Sequence, residues 1–225
     1  SSMTKVFAAS RNATQDEGLI RQHVSSDGRL SLIDMDVSSE ESVSAAVNRI
    51  RQETPRVVLV INSAGLLHND SGVRPERRLD DISASSLERS FAVNAIGPLL
   101  VAKHCQALLD RQERVVFASL SARLGSIRDN RLGGWYGYRA SKAAQNMVTK
   151  NLSIELRRRS RGVICVALHP GTVDTALSQP FQRGVRKEHL FAPEHAAGYL
   201  LNVIEGLRPI DNGGFFGWDG QPIPW

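Results

Sequence analysis

Tyr138 and Lys142, in the stretch Tyr136-Gly137-Tyr138-Arg139-Ala140-Ser141-Lys142, are the pair in this chain best suited to proton chemistry. On a helix, side chains four apart lie on one face. A phenol titrates near ~10, too high to exchange protons readily at neutral pH. An ammonium about 4 Å away, at an effective dielectric of ~20, favours the phenolate by ~4 kcal/mol. That is roughly three pKa units, less whatever desolvation removes. On those terms Tyr138 is a general acid/base. Tyr136 does not substitute, because four residues on stands Ala140. The same spacing also arises on solvated helix faces, so the surrounding elements must decide.

Those elements alternate. Short apolar runs at Lys5–Ser10, Leu30–Asp34, Val57–Ile61, Val115–Ser119, Val163–His169 and Gly214–Trp218 read as strands. Between them, Ser38-Ser39-Glu40-Glu41 opens a helix through about Ile50. Further helices are expected over Ser86–Leu109, over Gly137–Arg159 and from Pro193, a favoured first-turn residue, to Gly206. The pattern predicts an α/β fold, a doubly wound, mostly parallel sheet with helices on both faces. Such sheets bind ligands beyond the carboxyl ends of their strands. Asn62-Ser63-Ala64-Gly65, Ser119-Leu120-Ser121 and Pro170-Gly171 stand at or just after strand ends, so independent motifs converge on one edge.

Composition narrows the function. With 225 residues, 41% hydrophobic and 23% charged, the chain reads as one domain, residues 1–225. Cys105 in a helical pattern and Cys165 in a strand read as small buried hydrophobes, with no disulfide or zinc-type spacing, so no metal site is expected. The densest part of the +5 charge, Arg157-Arg158-Arg159-Ser160-Arg161, falls at a helix end, where cations suit the dipole. That favours a solvated helix end over nucleic-acid binding. The longest apolar run, Phe91 to Ala102, is too short to span a bilayer. No leader pattern is visible, and the expected location is cytoplasmic.

The order of these motifs, with Asn94 inside the second long helical run and Pro170-Gly171-Thr172-Val173-Asp174-Thr175 after the fifth strand, resembles the short-chain dehydrogenase/reductase family. The stretch Gly133–Met147 and the ending Asn212–Gly220 resemble its C-factor and sniffer carbonyl reductase branch. The resemblance covers about Val6 to Trp225. It implies a Rossmann-like oxidoreductase moving a hydride between a nicotinamide and a carbonyl or alcohol substrate, with Tyr138 as acid/base. Lys142 would hold the phenolate and the nicotinamide ribose, and Asn94 a water leading from Lys142 to solvent. A satisfied polar residue at a helix kink is the alternative for Asn94.

Ser121 would steady the substrate oxygen. The match is displaced here: related sequences place this serine three residues before a glycine, and three before Gly125 stands Ala122. Ser119 is the second choice and Ser126 the third. For the cofactor, the resemblance implies Asp36 and Val37 near the adenine, with Asn62, Ala64 and Gly65 beside it. Pro170, Gly171, Val173 and Thr175 would lie near the nicotinamide. Leu66–Asn69, Arg131–Trp135 and Ala176–Arg186 would line the substrate cleft. Arg11 ends the strand whose terminal residue selects the cofactor, and a basic residue there accommodates the 2′-phosphate of NADP rather than the ribose hydroxyls of NAD.

The family's first strand and glycine-rich loop have no counterpart in these 225 residues; the expectation is that a strand-helix unit of roughly 25–40 residues belongs upstream of them, with a genuinely truncated protein as the alternative. The strands at Val6 and Val57 should then flank an unpaired gap in the sheet, and the chain alone should aggregate and bind dinucleotide weakly. The expected assembly is a homodimer or homotetramer. The rival reading is a catalytically silent, dehydrogenase-shaped signalling or interaction protein.

Overall fold

The computed structural model describes residues 5–109 and 113–225. From the amino end, β1 (Val6–Ser10) leads into α1 (Glu17–Ser25), then β2 (Leu30–Asp34) into α2 (Glu40–Glu53) and β3 (Leu59–Asn62). Next come α3 (Ala84–Phe91), a π-helical turn at Ala92–Ile96, α4 (Gly97–Cys105), β4 (Val115–Leu120) and the long α5 (Tyr136–Arg159). The chain continues through β5 (Val163–His169), the short β6 (Thr172–Val173) and β7 (Leu190–Phe191), α6 (Pro193–Gly206) and β8 (Phe215–Gly217).

Strands β4 and β5 are apolar on both faces and therefore sit where both faces are covered. Val115, Phe117, Val163 and Cys165 pack against Val43 and Val47 of α2, Val101 of α4, and Leu152 and Leu156 of α5. The opposite face, with Val116, Ala118, Ile164, Val166 and Leu168, packs against Leu200 and Ile204 of α6. Each valine, leucine, isoleucine or phenylalanine among them contributes about 1.5–3 kcal/mol when fully buried. Helix α5 ends on Arg157, Arg158 and Arg159, cations that suit its carboxyl-terminal dipole.

All named pairings are parallel, and β3-β4-β5-β8 form one sheet. Its register sets Asn62 beside Ser119, Leu120 beside Leu168, and His169 beside Gly217, so the strand ends form one row. A second sheet holds β1 and β2 alone. As expected from the sequence, the strands at Val6 and Val57 do not pair. Val6, Val58, Leu59 and Ile61 are exposed along this break, although apolar residues of this kind suit a covered central strand.

Two elements differ from expectation. Helix α1 was not anticipated; its apolar residues Leu19, Ile20 and Val24 lie at helical spacing, but none of its residues is buried. The single helix expected over Ser86–Leu109 is interrupted and ends earlier, at Cys105. Pro98 has no N–H to give the carbonyl of residue 94, and the ladder slips one residue, with the Gly97 N–H donating to Ala92.

Candidate active site

Helix α5 carries Tyr138 and Lys142 beneath the carboxyl end of β4, and both are buried. The approach is close because Gly125, in the turn after β4, has no side chain: a Cβ there would lie 2.8 Å from the Lys142 Cβ. The start of α5 is fixed by Glu76. Its carbonyl accepts from the Trp135 N–H at 2.5 Å, and its carboxylate accepts from the Gly137 N–H at 3.0 Å. Gly133, Gly134 and Trp135 are all left-handed, at φ 63°, 62° and 51°. For a tryptophan this conformation is strained, and the surrounding contacts must hold it. The indole meets Tyr138 edge-on at 6.3 Å and Phe181 at 4.9 Å.

The ammonium does not lower the phenol's pKa as the spacing suggested. Lys142 Nζ donates to the Leu120 carbonyl and to Gln145 Oε1, each at 2.8 Å, and lies 5.9 Å from the Tyr138 ring centroid. Burial pushes the phenol up to about 12 and the ammonium down to about 7. Desolvation exceeds the cation's pull because the cation's donors face elsewhere.

Asn94 sits in the π-helical turn with its side chain fully engaged. Its Oδ1 accepts from the Leu66 N–H at 2.7 Å, and its Nδ2 donates to the Leu66 carbonyl and Ser141 Oγ at 2.8 and 2.9 Å. It therefore pins the loop that follows β3. A Cβ built on Gly65 would lie 3.8 Å from both Asn94 Oδ1 and Lys142 Nζ, so the three residues surround one point.

Ser121 is not aimed at that point. Its hydroxyl donates to Asn146 Oδ1 at 2.6 Å, and Asn146 Nδ2 donates to the Gly125 carbonyl. Ala122 instead packs against Tyr138 and Leu67, with Leu124, Trp135 and Phe181 around them. The other two serines are also committed: Ser119 Oγ accepts from Asn62, and Ser126 Oγ donates to the Pro224 carbonyl. Strand alternation alone could not show this, because the deciding partner, Asn146, lies a turn beyond Lys142 on a different element. Gln145, Asn146 and Glu76 were missed in the sequence. The available signal was two adjacent amides in an otherwise small-residue stretch, with Gln145 three residues from Lys142 on the same face.

The model of the short chain dehydrogenase family matches residues 2–185. The chain belongs to this family. Among family relatives it is 37% identical to the C-signal of Myxococcus xanthus over 76% of this chain and 95% of that protein. It is 33% identical to 1-hydroxy-2-glutathionyl-2-methyl-3-butene dehydrogenase of a Rhodococcus species, over 85% of this chain and 78% of the other. The NADPH-bound carbonyl reductase from chicken fatty liver superposes with a TM-score of 0.85 at 26% identity, over 98% of this chain and 88% of that one. The carbonyl reductase Sniffer of D. melanogaster gives the same TM-score and identity over 99% and 88%. The dehydrogenase fold here is thus the doubly wound, Rossmann-like one, in its sniffer-like branch.

Along the edge where a dinucleotide lies in this family, Arg11 is exposed at the end of β1. Asp36 accepts from the Ser38 hydroxyl and amide, which hold its carboxyl below the usual range, with the Arg11 charge adding to this. Val37 faces inward: its side chain meets the start of α4 at Gly97 and packs on the core. Gly171, at φ 78°, turns the chain where a Cβ would strike Phe191 at 2.6 Å. That turn sets Val173 in register with Phe191 and brings the Thr175 hydroxyl to the Val173 carbonyl.

After β1, Arg11 is exposed beside Asp36, and on α5 Lys142 spends two of its three N–H donors on Leu120 and Gln145. The pyrophosphate is different. The amino end of α1 is closed by the Asp16 carboxylate, which accepts from Leu19 and would repel an anion. Among the described residues, no helix is long and apolar enough to cross a membrane, and no group of three or more His, Cys, Asp or Glu gathers as a metal set.

Proposed function

We propose that the protein is an NADP(H)-dependent oxidoreductase acting on a carbonyl or alcohol, with Tyr138 as general acid/base. The observation that carries this reading is the buried Tyr138 phenol, walled by Leu67 and Ala122, one helical turn from a buried Lys142 at the carboxyl edge of the sheet. Bound NADPH would supply the hydride. Tyr138 then donates its proton to the oxygen that develops alkoxide character; burial, which raises the phenol to about 12, keeps that proton in place until the far more basic alkoxide forms, at the cost of a weaker acid. Lys142 would orient the nicotinamide ribose, and Arg11 would take the 2′-phosphate. Asn94 holds the Gly65–Leu66 backbone along which the cofactor would lie.

The apolar wall of Leu67, Ala122, Leu124, Trp135 and Phe181 fits an apolar or aromatic carbonyl compound. Without a serine hydroxyl at Ala122, the substrate oxygen depends on Tyr138. A strand lying between β1 and β3, with its following turn and helix, would pair both open edges and present the amides that a pyrophosphate needs. We infer one cytoplasmic domain that works as a homodimer or homotetramer.

The second reading, a signalling protein with a silent site, is favoured by Ala122 and by the relative named C-signal. Oxidation of NADPH against a panel of aldehydes and ketones separates the two. Turnover of any apolar carbonyl, faster with NADPH than NADH, supports the enzyme. A panel without turnover, from protein that binds NADPH, supports the silent site.

A further inference from the structure

Gln145 is 1% exposed, a carboxamide on the face of helix α5 that also buries Lys142 and Asn146. Burying an amide without partners is costly, and this one has two. Its Oε1 accepts from Lys142 Nζ at 2.8 Å, while its Nε2 donates to the Leu120 carbonyl at 3.2 Å. The same carbonyl accepts from Lys142 Nζ at 2.8 Å. Ammonium, carboxamide and strand-end carbonyl thus close a three-membered ring of hydrogen bonds at the end of β4. An ammonium has three N–H donors, and two are used here.

We propose that Gln145 is a positioning residue for Lys142, holding its ammonium on the Leu120 carbonyl with one N–H left to face the cleft. The consequence for cofactor binding rests on the oxidoreductase reading, whereas the lysine geometry does not. The carboxamide also favours the charged form of the lysine, because Oε1 stabilises the ammonium and offers a neutral amine less. Burial works the other way and brings Lys142 down to about 7. Among the described residues, no charged group opposes burial from the surrounding elements. The π-helical turn presents the neutral Asn94 and the loop after β3 presents Gly65. β4 presents a carbonyl, and Arg123 in the following turn is paired with Asp129. Tyr138 is the titratable side chain that faces the lysine from its own helix.

The test is an NMR titration of protein carrying 13Cε-labelled lysine, with the Lys142 signal assigned by its loss in Lys142→Met. In Gln145→Leu, which keeps the volume and removes the acceptor, the Lys142 midpoint should fall by about one pH unit, the size carried by one hydrogen bond to a charged group. In Gln145→Glu, nearly isosteric and acidic, it should rise. Unchanged midpoints in both variants would overturn the proposal, as a merely structural amide would lower the melting temperature without moving the lysine. Should the leucine variant not fold, the direction of shift in Gln145→Glu decides alone. The titration needs neither cofactor nor turnover, so an inactive protein would sink the oxidoreductase reading and leave this answer intact. Where NADPH does bind, its fluorescence titration should show about tenfold weaker binding to Gln145→Leu, the same hydrogen bond expressed as affinity; equal affinity would overturn the link to the cofactor.

Discussion

Two influences act on the Tyr138 phenol: an ammonium one helical turn away and the loss of water around the ring. The first needs the cation's donors turned to the phenol, and here they are turned to Leu120 and Gln145. Burial therefore sets the outcome, a proton held up to about 12. The Tyr138–Lys142 pair was legible because helical spacing fixes which side chains share a face. The partners of each polar atom were not, since these come from other elements and from geometry below the resolution of a spacing rule. Ser121 is the clearest case. Ser121→Ala should leave turnover within about threefold and cost about 1–3 kcal/mol of stability by leaving buried Asn146 Oδ1 unpaired. Chemical denaturation alongside steady-state kinetics checks this; a hundredfold loss of kcat with unchanged stability would restore the serine to the substrate. His169, whose Nδ1 is buried and unpartnered among the described residues, gives a pH signature. Burial, with the Arg123 charge adding, lowers it from 6.5 to about 4. The unfolded chain binds more protons between those values, so stability should fall as pH drops from about 6.5 to about 4. His169→Gln should flatten the acid limb of melting temperature against pH, and an identical limb would contradict the assignment.

The strands carry the cofactor side of the account. β4 and β5 were readable as unbroken apolar runs, and their register delivers Asn62, Ser119 and Leu120 to one row. The π-helical turn was half readable: Pro98 marks a kink, but a slip of the ladder to the fifth residue depends on what packs around it. Helix α1 was missed although Asp16 and Glu17 mark its start and Ile20 and Val24 stand four apart, because so short an apolar pattern is easily passed over. Arg11, at the end of β1, owes its position to that strand alone. Replacing it with Asp removes the 2′-phosphate partner and adds an acceptor for ribose hydroxyls. A charge-assisted hydrogen bond is worth ~1.5–3 kcal/mol, so NADPH affinity should fall roughly ten- to hundredfold while NADH affinity holds or rises. Equal binding of NADPH and NADH to the unsubstituted protein would show that Arg11 does not select the cofactor.

The fold class followed from alternating strand and helix patterns, whereas the break between β1 and β3 was expected from the family resemblance and not from the patterns themselves. Assembly draws on a different feature. Ile96 in the π-helical turn, Leu99 on α4, and Met147 and Ile154 on α5 are exposed apolar side chains. A second copy would cover them. Sedimentation should find a dimer or tetramer, and Ile154→Glu should shift it towards monomer; a concentration-independent monomer before substitution would refute the proposal. The central claim is that Tyr138 moves the proton in a nicotinamide-dependent carbonyl reduction. It is tested most directly by kcat/KM for NADPH-dependent reduction of an apolar carbonyl in the natural protein and in Tyr138→Phe, with NADPH affinity measured in both. Affinity should be unchanged and kcat/KM should fall by at least about a hundredfold, the low end of what general acid–base catalysis contributes. Retention of more than about a tenth of the activity, well short of that contribution, would contradict it.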